Sequence, residues 1–69
     1  MFRLEAVAVG GYFTERWQDS GVVTYRVQAF INERLIWQSE VDHKRSQGWW
    51  VLAVHIAYAA GTGKGKFYD

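Results

Sequence analysis

Between Val22 and Ile31 apolar and polar side chains alternate. Val23, Tyr25, Val27, Ala29 and Ile31 fall on one face, and Thr24, Arg26, Gln28 and Phe30 on the other. This is the period of a half-buried β-strand. Residues 35–41 continue it, with Leu35, Trp37 and Val41 against Ile36, Gln38 and Glu40. Register then constrains the connection. A two-residue turn at Asn32-Glu33 would set Ile31 opposite Arg34 and Val27 opposite Gln38. A three-residue loop, Asn32-Glu33-Arg34, pairs Ile31 with Leu35, Ala29 with Trp37 and Tyr25 with Val41. A slip of one residue turns every side chain to the wrong face, so the longer loop is expected.

Upstream, Phe2, Leu4, Ala6 and Ala8 share one face and Arg3, Glu5, Val7 and Val9 the other. This predicts a first strand within residues 2–13, with a bend or bulge at Gly10-Gly11. Residues 14–21 read as a polar loop with turn chemistry at Asp19-Ser20-Gly21. Trp17, inside that loop, is expected to fold back over the edge of the core or to serve as a contact residue.

The apolar run from Gly48 to Ala60 is the stretch around which a small core must be built. It is too short to cross a bilayer, which takes roughly 20 helical residues. As a helix it places Trp49, Leu52, Ala53, Ile56 and Ala60 on one stripe. Its alanines favour helix, Ser46 or Asp42 would cap its start, and Gly61 stands where a left-handed C-terminal cap is expected. The predicted class is therefore α+β: a three-stranded antiparallel meander with one C-terminal helix packed on one face. A single small domain spans residues 1–69, with a glycine-rich tail from about residue 61. The alternative is an all-β small barrel in which residues 49–59 form a fourth strand, since large and small side chains also alternate there.

On the helical reading, the side away from the core carries Trp50, Val51, Val54 and Tyr58, relieved only by Lys44, Gln47 and His55. A helix apolar on all sides is normally buried on both. A chain of 69 residues has little protein with which to cover the second side. Small domains usually add disulfides, a metal or oligomerisation. This one has no cysteine, and His43 and His55 alone are a poor basis for zinc. Oligomerisation remains, most simply as a homodimer. Trp50, Val51, Val54, Tyr58 and Trp17 are the expected partner-binding residues, with the outward side of the helix as the self-association surface.

Charge narrows the functional classes. The net charge is +1, with acidic residues set among the basic ones. Dedicated nucleic-acid binders usually carry a basic excess on one face. The alternative reading nevertheless has candidates: Arg26 and Gln28 on the open sheet face, and Lys44, Arg45, Lys64 and Lys66 for phosphate contacts. Gly61-Thr-Gly-Lys-Gly lacks the spacing and the Ser or Thr of a phosphate loop, so no cofactor is implied. No nucleophile stands beside a base, and His55 is a lone polar group in an apolar run, so no catalytic residue is assigned. Glu5 interrupts the place where a signal peptide needs its apolar region, so a cytoplasmic location without membrane association is expected.

The function expected from these features is a small non-catalytic protein–protein interaction module that docks on or occludes a larger partner. On base rates, small accessory proteins act as homodimers or as inhibitors, those of phages and mobile elements included.

Overall fold

Two residues reverse the chain at the centre of the sheet. Asn32 and Glu33 both have positive φ, 50° and 65°, the backbone of a type I′ turn, whose twist matches that of the strands it joins. It connects β2 (Trp17–Ile31) to β3 (Arg34–Lys44), with β1 (Phe2–Thr14) before them and α1 (Trp49–Gly61) and β4 (Lys66–Phe67) after. The strands form one antiparallel sheet in the order β1-β2-β3-β4. The computed structural model describes residues 1–14 and 17–68, and the side chains of these outside residues 12–20. The α+β class is as the pattern predicts. The all-β alternative is not, because residues 49–59 are helical.

The expected three-residue loop is corrected to this two-residue turn, which sets Ile31 opposite Arg34 and Phe30 opposite Leu35. Beyond Phe30 the register shifts, and Ile36 is the extra residue on β3. From there Ala29 pairs with Trp37 and Tyr25 with Val41, as the apolar pattern requires. The bulge does what the longer loop was invoked to do. It restores apolar against apolar, while the turn keeps its favoured length.

The arm formed by β1 and β2 is longer than the alternation suggests. The stretch expected as a polar loop is largely strand: the ladder ends at Thr14 opposite Trp17. Polarity did not exclude strand there, because an antiparallel arm can be solvated. Register shifts follow Ala8 and Tyr12, which brackets the predicted irregularity at Gly10-Gly11. Gly11 is needed in particular. Its φ is +136°, and a Cβ there would lie 2.2 Å from the Val22 carbonyl oxygen.

The core is small. Val27 and Ala29 of β2 and Trp37 and Val41 of β3 pack against Leu52 and Ala59 of α1, with Tyr25, Ile36 and Ile56 around them. The packed stripe of α1 is thus Leu52 and Ala59, both buried, with Ile56 half-buried between them. It corrects the expected one, since Ala53 and Ala60 are exposed and Trp49 is 72% exposed. The helix is rotated so that its largest side chains lie outside the contact.

Helix ends also differ from expectation. Gly48 occupies the N-cap without a side-chain bond, in place of Ser46 or Asp42. Gly61 belongs to the helix, and the left-handed residue is Gly63, at φ +73°. Its N–H donates to Ala60 O and that of Lys64 to Ala59 O, the double closure of a Schellman motif. The tail then returns to the sheet rather than remaining free. Lys66 pairs with Gln38, Phe67 with Trp37, and the Tyr68 N–H donates to Ile36 O.

Gly65 permits that return. A Cβ there would lie 2.6 Å from Gln38 O and 2.7 Å from the Trp37 indole nitrogen, and φ is +146°. Gly65→Ala should therefore cost roughly 1–3 kcal/mol. Thermal melting should fall by several degrees or more, whereas an unchanged midpoint would show that β4 contributes nothing to the fold.

Candidate partner-docking surface

The register places Phe2 opposite Ile31, Leu4 opposite Ala29, Ala6 opposite Val27 and Ala8 opposite Tyr25. Residues directly opposite share a face, so the apolar stripe of β1 lies on the same side as the core. It is not covered as the core is. Helix α1 packs chiefly against β3, and Phe2 and Leu4 are 61% and 49% exposed. Fully burying one such side chain is worth about 1.5–3 kcal/mol, so the isolated chain forgoes much of the stabilisation its first strand offers.

Between this stripe and the helix runs a groove of 290 Å³. Leu4, Ala29 and Trp37 line it beside Phe2 and Phe67, and Ile56, Ala57 and Ala60 present the helix to it. Every one of these side chains is apolar. The small flank of the helix keeps the groove open, because alanines at 57 and 60 reach only a short way toward β1.

The far side of α1 is a second apolar surface. Trp50, Val54 and Tyr58, each expected as a partner anchor, are exposed, and Val51 is half-buried beside them. Lys64 lies 5.4 Å above the Tyr58 ring. Trp17, the remaining expected anchor, has its side chain outside the described residues; its backbone begins β2.

Trp49 was missed as a surface residue. Its ring stacks on His43 at 6.2 Å and meets Tyr25 edge-on at 6.1 Å. This aromatic group seats the start of the helix on the sheet, and His43 is buried beneath it. The signal was present in the alternation, since Tyr25, Val41 and His43 share one face, but the strand was expected to end at residue 41.

The opposite sheet face carries Val7, Phe30 and Leu35 among polar side chains, several of which pair with one another. Thr24 donates to Asp42 at 2.6 Å, Gln28 to Gln38 at 2.7 Å, and Arg26 reaches Glu40 at 3.5 Å. Arg3 binds Glu5 and Glu33 and lies 4.5 Å over the Phe30 ring. Of the side chains expected to meet nucleic acid, Arg26 and Gln28 are therefore already engaged, with Glu40 and Gln38. The other basic candidates are dispersed: Lys44 ends β3 and Arg45 follows it, while Lys66 pairs with Gln38. Gln38 and Lys44 are six positions apart along β3, about 20 Å.

Among the described residues, no group of three or more His, Asp or Glu is placed to hold a metal ion, and no helix is long and apolar enough to cross a membrane. Comparison with known proteins gives no match: no family model, curated protein or solved structure is similar to this chain.

Because Val54 is exposed, Val54→Glu should change the stability of the isolated chain by less than about 0.5 kcal/mol. Urea unfolding at high dilution checks this. A large loss of stability would mean that the side chain is covered.

Proposed function

We propose that this chain is a non-catalytic protein–protein interaction module that works as a homodimer and docks on a larger protein. The supporting observation is the uneven cover of the sheet. One helix closes the core over β2 and β3, while an apolar strand, an apolar groove and an apolar helix side remain open to solvent. Large exposed apolar patches on small proteins mark interaction surfaces. On this reading the three long strands are a platform carrying the helix on one face. Trp50, Val54 and Tyr58 are the anchors for the larger partner, since exposed Trp and Tyr beside aliphatic side chains make interface hot spots.

The nucleic-acid reading has weaker support. Affinity for phosphates comes from cations free to replace counterions. Here Arg26 and Arg3 already face carboxylates, and the net charge is only +1.

Titration with mixed short DNA and RNA at low salt, followed by tryptophan fluorescence, should show no binding. Binding that weakens steeply with salt would overturn the interaction-module reading. In cells, a photo-crosslinking amino acid in place of Tyr58 should give one discrete adduct larger than a dimer. Adding Val54→Glu should abolish it. Absence of any such adduct would count against docking by this face.

A further inference from the structure

We propose that a second copy of this chain pairs antiparallel with the free edge of β1, about a two-fold axis at Leu4. This rests on the interaction-module reading and names its dimer contact. It places that contact on β1 rather than on the outward side of the helix.

The edge is unsatisfied in a defined way. β1 is the outermost strand, with β2 as its sheet neighbour. The Asn32 N–H donates to Met1 O, which sets the phase of the ladder. Backbone groups alternate in direction along a strand. Met1, Arg3, Glu5 and Val7 therefore turn theirs toward β2, and Phe2, Leu4, Ala6 and Ala8 turn theirs outward. These last residues also form the uncovered apolar stripe. A single added strand would satisfy the outward backbone groups and extend the sheet beside the stripe. An exposed, apolar edge strand of this length is a template for such pairing.

The sequence of β1 is complementary to itself in one register. Two-fold pairing must centre on a residue, because centring between two would set apolar-face side chains against polar-face ones. Centring on Glu5 would put two carboxylates directly opposite each other, which is unfavourable. Centring on Ala6 or later would carry the pairing into the bulge that follows Ala8. Centring on Leu4 sets Arg3 of each copy opposite Glu5 of the other, Phe2 opposite Ala6, and Leu4 opposite Leu4. The Arg3–Glu5 pair found within the chain then becomes part of a four-charge ring on the polar face.

The axis stands perpendicular to the sheet. It yields a continuous sheet with four strands from each copy, both helices on the same side, and the two grooves facing each other across the joined strands.

Sedimentation equilibrium of the full chain tests the pairing. The wild type should be a dimer. Arg3→Glu and Glu5→Arg, each of which sets like charges opposite one another, should weaken dimerisation by more than about tenfold. The double exchange, R3E with E5R, should restore it. Circular dichroism establishes that each variant is folded. The chain has no native cysteine, so Leu4→Cys gives an independent measurement that leaves the charges intact. Directly opposite residues in a hydrogen-bonded pair lie about 5.5 Å apart, within disulfide reach. Mild oxidation should convert Leu4→Cys to a linked dimer and leave Ala8→Cys unlinked.

A wild-type monomer overturns the proposal, as does a double exchange no better than either single one, or equal linking at both cysteines. Dimerisation lost on Val54→Glu but kept in both charge variants would place the contact on the helix. That result refutes this pairing and leaves the interaction-module reading standing, whereas salt-sensitive nucleic-acid binding would refute the latter.

Discussion

The structure depends on one mismatch of size: a single short helix set on a long three-strand platform. An α-helix with its side chains is about 10 Å wide, and strands lie about 4.8 Å apart. One helix therefore covers about two strands. Its thirteen residues span about 20 Å at 1.5 Å each, whereas the molecule extends 44 Å along its longest axis. Leu52, Ile56 and Ala59 are spent on the strip above β2 and β3. Nothing in the described residues remains to cover Phe2, Leu4, Ala6 and Ala8. The small core, the open groove and the unpaired edge all follow from this.

The two faces of the sheet are made for different surroundings. On the polar face, Thr24 with Asp42, Arg26 with Glu40 and Gln28 with Gln38 bridge β2 and β3. Such exposed pairs contribute little each, but they already engage Thr24, Arg26 and Gln28. On the helix side, β1 offers apolar side chains and outward backbone groups together. An antiparallel sheet with one packed and one solvated face is ordinary. Here the packed face extends past the helix that packs it, and this supports a partner of the same chemistry as a core.

Much of the fold was legible in the sequence, for identifiable reasons. The alternation from Val23 to Ile31 named the core face, and Val27 and Ala29 are indeed buried. Alanine content separated helix from strand at residues 49–61. The register between Ala29 and Trp37 was correct because only that register buries both. What escaped was how it is achieved. A bulge at Ile36 has no signature in an apolar run, so only a longer loop offered the register that pairs apolar with apolar. Gly61 and Gly63 could both close a helix, and the choice turned on tertiary return of the tail to Trp37. Helical spacing placed Trp49 on the core stripe, but the contact is set by Leu52 and Ala59, and the indole lies instead over His43 and Tyr25. The open stripe of β1 was invisible for a simple reason. Sequence periodicity says which residues share a face, but not how far a helix reaches across it.

Amide hydrogen exchange at several protein concentrations tests most directly whether that edge is where the chain finds its partner. At concentrations that favour association, the N–H groups of Leu4 and Ala6 should be protected, and dilution should release them while the N–H of Val27, within the sheet, stays protected. Free exchange of Leu4 and Ala6 at every concentration would contradict self-pairing along β1.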